Sequence, residues 1–303
     1  MTTVLVATCA GCRVFVGERE RPVELAGRNV GAMAQESSGS CLAVVDGKEI
    51  WRREFAGEWS KLATSPAALQ SIVSVNGVIL SGGMDEAIMI RVSPTGSVDQ
   101  MRGFDQTPGR HEWFAGGPPL GVRSLAATAD GSVLLAAVHV GGIPRSLDGG
   151  ETWAPTIPVA FDVHEVRAHP TIANTAVAAA AVGLCVSYDA GRNWKVISEG
   201  LKGTSSLAAA LLQDEALFSV QEGPFAKRSQ LWRWPLGAER AAPVRDGLPE
   251  WLEGKIDTNL IAAGAGRAAV VDAGGNLWLS SAGSAGWERV ATGLPYTSGV
   301  VIL

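Results

Sequence analysis

The chain contains only four histidines, and three of them follow one another at long intervals. His111, His139 and His164 are 28 and 25 residues apart, so they must come from different structural elements. Imidazole nitrogens bind Zn²⁺, Mn²⁺ and Fe²⁺, and a site with three protein ligands keeps an open position at which a bound water is activated. The carboxylates nearest to them in the sequence are Asp162, Glu165 and Glu112. If these side chains meet, we expect one divalent metal ion and hydrolase-like chemistry; otherwise each histidine caps a strand or satisfies a buried backbone group.

The composition is that of a globular protein without affinity for nucleic acid. Of 303 residues, 47% are apolar and 18% are charged, which is enough apolar material for a large core. The net charge is −5, and no run of Lys or Arg is present to follow a phosphate backbone. No segment approaches the roughly 18 apolar residues of a membrane span, and the first residues do not read as a signal peptide. We expect a soluble protein that is neither exported nor bound to a membrane.

The cysteines favour a reducing compartment. There are four, at positions 9, 12, 41 and 185, too few and too scattered for a disulfide framework. Cys9 and Cys12 have CxxC spacing, but no second CxxC completes a zinc site and no βαβ pattern surrounds them. The simpler interpretation is that Cys9 and Cys12 are small apolar residues of a strand. Whether they take part in the histidine site stays open. We expect the cytoplasm.

An internal repeat identifies the elements that must position the histidines. SLDGGETW (146–153) matches SYDAGRNW (187–194) at an offset of 41 residues, and SSAGSAGW (280–287) is a third copy without the aspartate. We call the first two segments the clasps. A fixed period of this length is typical of repeat architectures. In a clasp the aspartate is expected to accept hydrogen bonds from turn amides, while the tryptophan packs between neighbouring units.

Each repeat consists of short strands, which predicts a propeller blade. Alternating apolar residues and turn signals recur every 8 to 12 residues within units of about 43 residues. Four strands per unit predict an all-β, seven-bladed β-propeller of one domain, 1–303, whose N- and C-terminal strands pair to close the ring. The predicted blades are 3–27 with 297–303, 30–64, 70–104, 121–157, 162–200, 204–247 and 256–293.

The Ser-x-Asp-x-Gly-x-Thr-Trp pattern of the clasps resembles the Asp-box, or BNR repeat, of sialidases, sortilin-type receptors and uncharacterised bacterial propellers. That resemblance implies a propeller whose clasps lie on the face away from the ligand site. It does not extend to sialidase activity, which requires an arginine triad and a tyrosine nucleophile paired with a glutamate. The chain has two tyrosines: Tyr188 lies in a clasp, and Tyr296 has no identifiable glutamate partner.

The face opposite the clasps, called the upper face, is where we expect chemistry. It carries the loops that enter each first strand and those that join the second strand to the third. Alignment of the first strands brings one polar residue per blade to the channel mouth: Arg123, His164, Ser205 and Thr258. A long connection, 103–121, adds Arg110, His111, Glu112 and Trp113.

These residues suit the following roles. We expect Arg123, Asp257 and Glu112 to be catalytic, and Arg110 with Trp113 to bind substrate by holding an anion and stacking on it. For any single arginine the alternative is a solvated surface position. The resulting hypothesis is a small-molecule enzyme or binding protein with its site at the upper mouth of the channel. The alternative is a non-catalytic interaction or assembly scaffold with a protein partner.

Overall fold

The computed structural model describes residues 2–36, 39–114, 120–223, 225–282 and 286–303. Seven antiparallel blades of four strands form a ring, which confirms the predicted seven-bladed β-propeller. The described residues include one short helix, α1 (Arg102–Asp105), and the 3-10 turns Arg110–Glu112 and Val159–Phe161. No helix among these residues is long and apolar enough to cross a membrane.

The first four blades each follow the chain from the innermost strand outward. Blade 1 has β4 (Val30–Gln35), β5 (Cys41–Val45), β6 (Glu49–Arg53) and β7 (Trp59–Thr64). Blade 2 has β8 (Leu69–Val75), β9 (Val78–Gly83), β10 (Met89–Val92) and β11 (Val98–Gln100). Blade 3 has β12 (Val122–Ala127), β13 (Leu134–Val138), β14 (Pro144–Ser146) and β15 (Ala154–Pro155). Blade 4 has β16 (Val163–Ala168), β17 (Ala176–Ala180), β18 (Gly183–Ser187) and β19 (Lys195–Ile197).

The remaining blades complete and close the ring. Blade 5 has β20 (Ala209–Leu212), β21 (Glu215–Val220), β22 (Arg228–Pro235) and β23 (Ala242–Pro243), with β24 (Leu252–Glu253) also paired to β22. Blade 6 has β25 (Ile261–Gly264), β26 (Arg267–Val271), β27 (Leu277–Ser280) and β28 (Trp287–Ala291). Blade 7 joins the C-terminal β29 (Thr297–Ile302) to β1 (Thr3–Thr8), β2 (Gly11–Val16) and β3 (Arg19–Glu20). The pairing of β1 with β29 closes the circle, as the sequence predicts.

The apolar core lies between the blades. Neighbouring innermost strands contact one another around the channel, and apolar clusters fill the space between successive sheets. Strands covered on both faces have no polar side, as in the fully buried Leu134–Val138 and Ala176–Ala180. This packing makes the ring a rigid base for loops at either face.

Each clasp is a hairpin whose polar groups bond to one another. Asp148 accepts hydrogen bonds from the amide (2.9 Å) and hydroxyl (2.6 Å) of Thr152 and from the Ser146 hydroxyl (2.8 Å). Ser146 in turn accepts from the Gly150 amide at 2.8 Å, and the buried Trp153 donates its indole N–H to the Gly150 carbonyl at 2.9 Å. These bonds raise the acidity of Asp148 and hold its pKa at about 2, with the Thr152 hydroxyl the largest cause. The second clasp repeats the pattern around Asp189.

Candidate functional site

The innermost strands begin with a bulge at the upper face. The register of β12 with β13 passes over Arg123, that of β16 with β17 passes over His164, and that of β8 with β9 passes over Gln70. A bulge removes a residue from the ladder and re-aims its side chain. This local irregularity, repeated in separate blades, is why Arg123 and His164 occupy equivalent positions at the channel mouth.

Two histidines and an aspartate meet at this mouth. His164 Nε2 lies 3.5 Å from Asp162 Oδ2, and His139 Nε2 lies 3.7 Å from Asp162 Oδ1. The two imidazole centroids are 6.3 Å apart. One potential ligand atom from each of the three residues falls within 4.8 Å of the other two. Both imidazoles are buried, whereas Asp162 is half-buried and opens the group to the channel mouth.

The backbone fixes each of these side chains. Asp162 ends the 3-10 turn Val159–Phe161 in a left-handed conformation (φ 48°), and its carbonyl accepts from the Ala181 amide at 3.1 Å. His139 follows β13 directly, and its amide donates to the Gly121 carbonyl at 3.0 Å. With His164 held in the bulge of β16, the three positions come from two blades and one connection.

The protonation states of the group suit a metal ligand set. His164 Nδ1 lies 2.9 Å from the Ser206 carbonyl, which can only accept, so Nδ1 carries a proton and Nε2 is the nitrogen that faces Asp162. The nearby imidazole of His164, opposed by burial, holds the pKa of Asp162 below its usual range, with help from the neighbouring His139 and Arg123. The carboxylate is therefore ionised at neutral pH.

The spacing of the ligand atoms also fits a metal ion. Separations of 3.5 and 3.7 Å are long for hydrogen bonds. Two ligands bound to one tetrahedral zinc ion lie about 3.4 Å apart. Asp162 Oδ1 is buried and accepts no hydrogen bond from the described residues. A buried carboxylate oxygen that accepts no hydrogen bond and lies beside imidazole nitrogens is the arrangement that a cation would satisfy.

Arg123 crosses the mouth of the channel beside this group. From blade 3 its Nη2 donates to Asp257 Oδ1 at 2.8 Å and to Thr258 Oγ1 at 2.9 Å, ahead of blade 6. Lys255 Nζ lies 2.8 Å from the other oxygen of Asp257. Burial opposes ionisation of Asp257, but Arg123 and Lys255 outweigh it and hold its pKa below the usual range. A cavity of about 280 Å³ opens here, lined by Gln70, Met84, Arg123, His139, Asp257, Thr258, Asn259, Tyr296, Thr297 and Ser298.

Glu165, the neighbour of His164, bonds to the scaffold. Its carboxylate is fully buried and accepts from the Ala209 amide (2.8 Å), the Asn259 amide (3.1 Å) and the Arg167 guanidinium. Burial raises its pKa, although these donors oppose the shift. The sequence offers Glu165 as a possible metal ligand, but its oxygens already tie blade 4 to blades 5 and 6.

The candidate residues of the long connection, 103–121, do not join the group at the channel mouth. His111 is 84% exposed on the 3-10 turn, and its ion-pair neighbour is the exposed Glu112, at 3.9 Å. It is absent from the ligand group found among the described residues, so the expected convergence of three histidines is limited to two. Arg110 lies over the buried Trp113 ring, with 4.7 Å between the guanidinium carbon and the centroid, and burial lowers its pKa. That indole is packed against Phe104 and is not offered to a ligand. Residues 115–119 lie outside the described residues.

Asp162 lies next to the channel mouth and supplies the carboxylate of the group, whereas the sequence offers it only as one of three acids near the histidines. The signal available was its position two residues before His164, at the end of the connection into β16. Its left-handed backbone, which aims the carboxylate between the two imidazoles, has no distinct signature in the letters around it. His169 does not join the site: its ring is buried at the far end of β16 and contacts the Gln213 carbonyl at 2.5 Å.

Comparison with known proteins adds information on the fold. No family model matches the chain, and no curated protein matches it. Among solved structures, virginiamycin B lyase from Staphylococcus aureus has a TM-score of 0.64 at 10% identity, covering 95% of this chain and 87% of that one. A GH74 enzyme from Niastella koreensis (TM-score 0.64, 12% identity) and the GH74 xyloglucanase from Xanthomonas campestris (0.60, 17%) each match 95% of this chain and 47% of their own. These likenesses show the fold alone.

Proposed function

We propose that this propeller is a metal-dependent enzyme of hydrolase type that acts on a small molecule at the upper mouth of its channel. His139, Asp162 and His164 hold one divalent ion, Zn²⁺, Mn²⁺ or Fe²⁺. The observation that carries the proposal is the meeting of two imidazole Nε2 atoms with an ionised carboxylate whose buried Oδ1 accepts no hydrogen bond from the described residues. Two nitrogens and one oxygen form a ligand set that all three metals accept.

The other residues at or near the mouth have separate roles. A divalent ion held by His139, Asp162 and His164 would supply Lewis-acid chemistry and a more acidic water to the site. Arg123 orients the substrate beside the ligands through its charged donors, and Asp257 fixes the guanidinium by accepting from Nη2. Glu112 is exposed at the outer part of the long connection, so a catalytic role for it would require that connection to move. Arg110 and Trp113 stabilise the connection by stacking on each other.

The fold neighbours give this proposal limited support. Those three structures are named as a lyase and as GH74 enzymes, so the same ring of blades serves enzymes elsewhere. Fold similarity does not transfer an activity. We also propose that the clasps are Asp-box repeats, supported by the repeated Ser, Asp, Gly and Trp hydrogen bonds in two hairpins 41 residues apart.

Zinc titration of the metal-free protein, followed by equilibrium dialysis and elemental analysis, tests the metal site. One equivalent should bind to the wild type and be lost in His139→Ala and His164→Ala. His111→Ala is the matched control, because that imidazole is exposed and outside the group, and it should retain the ion. Absence of stoichiometric zinc from the folded wild type, or retention of it in both variants, would contradict the proposal.

A non-catalytic scaffold is the second candidate, and one feature favours it. Three aromatic side chains on loops of the upper face are exposed: Phe225 (91%), Tyr296 (76%) and Phe114 (68%). Exposed aromatic residues are enriched where proteins bind one another. If the wild type binds no metal, and alanine at these aromatic positions abolishes capture of a specific protein partner, the scaffold function is favoured instead.

A further inference from the structure

A second cavity adjoins the one beside Arg123. Its volume is about 320 Å³, and it lies between blades 6 and 7 at the upper face. The two cavities share Asp257, Tyr296 and Thr297 in their walls. The further residues that line the second one are Lys255, Leu260, Asp272, Ala273, Gly274, Gly275, Leu294 and Pro295.

The two cavities differ in chemistry. The first contains Arg123, whose Nε and Nη1 donate to none of the described residues, because both of its hydrogen bonds use Nη2. In the second, Leu260, Leu294 and Pro295 present apolar surface. Among the described residues that line the second cavity but not the first, Asp272 is the one carboxylate. It accepts hydrogen bonds from the backbone amide and the side-chain amide of Asn276, both at 3.0 Å. A single ligand that spans both would meet the Arg123 guanidinium at one end and, at the other, the side chains of Leu260, Leu294 and Pro295 beside a Lys255 ammonium that already pairs with Asp257.

We infer that the site takes a small carboxylate that bears an apolar, ring-sized group. The carboxylate pairs with Arg123 in the first cavity, and the apolar group enters the second. This inference rests on the proposed function for the location of the site, but it does not require the metal ion.

The charges at the mouth favour an anion. Asp257 is shared by two cations, Arg123 at 2.8 Å and Lys255 at 2.8 Å, so these three groups together carry one positive charge, with the Asp162 carboxylate as the nearby anion. A guanidinium with one nitrogen already engaged still offers donors in the plane of its fork, which matches the geometry of a carboxylate. A divalent ion at the nearby histidines would add to the positive potential and strengthen the binding of an anion.

The wall of the second cavity can hold an apolar group, because its one ammonium, Lys255, is already paired with Asp257. Its backbone is anchored: the Leu294 amide donates to the Gly275 carbonyl at 3.0 Å, and the Tyr296 carbonyl accepts from the Cys9 amide at 3.0 Å. The exposed Tyr296 ring projects from this fixed segment between the two cavities. A flat apolar group can pack against it without loss of a hydrogen bond.

Benzoate is the probe, with acetate and benzyl alcohol as matched fragments that lack the ring or the charge. Binding is followed by NMR titration of the full chain labelled with ¹⁵N, both metal-free and zinc-loaded. We expect benzoate to bind roughly 10- to 100-fold more tightly than acetate, because the ring is buried, and more tightly than benzyl alcohol, because the charge is paired. Shifts should map to both cavities.

Substitutions separate the two halves of the site. Arg123→Gln should weaken benzoate roughly 10- to 100-fold and benzyl alcohol hardly at all. Ala273→Phe places bulk at an exposed position on the wall of the second cavity; it should weaken benzoate about tenfold and leave acetate unchanged. Arg102→Gln and Tyr188→Ala are the controls, since both side chains are exposed and line neither cavity.

The outcomes distinguish this inference from the metal proposal. Zinc bound by His139 and His164, together with benzoate binding that is absent or unchanged in folded Arg123→Gln and Ala273→Phe, would overturn the inference alone. Benzoate binding that depends on both positions in a protein that takes up no zinc would support the inference and overturn the metal site. If Arg123→Gln does not fold, Ala273→Phe and the comparison of the three fragments decide.

Discussion

The clasps and the upper mouth both concentrate polar side chains, but they satisfy them in opposite ways. In the first clasp, Asp148 accepts from Ser146 and Thr152, and every one of these partners lies within the same octet. At the mouth, His139 follows a strand of blade 3 and Asp162 comes from the connection into blade 4, and Asp162 Oδ1 accepts no hydrogen bond from the described residues. Polar groups that satisfy one another's hydrogen bonds within a short segment stabilise a turn. Polar groups that come from distant segments and keep unused hydrogen-bonding capacity can bind a ligand.

Because of this difference, the two regions contribute different properties to the protein. A clasp is complete without any ligand, so its contribution is stability. The mouth keeps bonding capacity at Asp162 and at Arg123 Nε and Nη1, so its contribution is binding. Substitutions should therefore affect stability in one region and ligand binding in the other.

The largest expected effect is on metal affinity in Asp162→Asn. Asparagine tolerates the left-handed backbone of this position, so the fold should be kept while the anionic ligand is lost. We expect zinc affinity to fall more than 100-fold, since substitution of residues that only hydrogen-bond to metal ligands already lowers metal affinity by roughly 10- to 100-fold. Competition with a zinc indicator measures the affinity, and circular dichroism checks the fold. A folded variant with unaltered affinity would remove Asp162 from the site.

The next effect is on stability in Glu165→Ala. This carboxylate is fully buried and accepts two backbone amides and the Arg167 guanidinium, so its removal leaves buried donors without acceptors. We expect the free energy of unfolding to fall by about 3 kcal/mol, measured by urea denaturation. Arg240→Ala is the control, because its ion pair with Glu199 is solvent-exposed, and it should change stability very little. Equal effects would mean that Glu165 does not tie the blades together.

A smaller effect is expected in the clasps. Asp148→Ala removes bonds to exposed partners, so we expect a loss of about 1 kcal/mol after allowing for solvent screening. Zinc and benzoate binding should not change. Loss of either ligand in a folded Asp148→Ala protein would break the separation between the two regions.

The pH dependence of the same residue gives the smallest effect. The pKa of Asp148 is about 2 in the folded protein and near its ordinary value of about 3.9 in the unfolded chain. The stabilisation by this carboxylate is therefore present above about pH 4 and is lost as the pH falls from about 4 towards 2. Asp148→Asn should lose this part of the acid dependence. Parallel stability curves for wild type and variant between pH 4 and pH 2 would contradict the assignment.

The fold was readable from the sequence because its determinants are local and repeated. Two octets 41 residues apart carry the same serine, aspartate, glycine and tryptophan, and each makes its hydrogen bonds within itself. The site is harder to read because its members come from different blades. Equivalent strand positions placed Arg123 and His164 at the mouth, but the role of Asp162 depends on a left-handed backbone angle. The exposure of His111 depends on how its turn packs through Arg110 and Trp113, which spacing does not reveal.

The most direct measurement is a zinc titration of ¹⁵N-histidine-labelled protein, with all four imidazoles followed by long-range ¹H–¹⁵N NMR. The Nε2 resonances of His139 and His164 should move to metal-bound positions together and saturate at one equivalent of zinc. His164 Nδ1 should remain protonated, and the resonances of His111 and His169 should stay in place. If zinc leaves the Nε2 resonances of His139 and His164 unchanged in the folded protein, these two imidazoles do not form a metal centre.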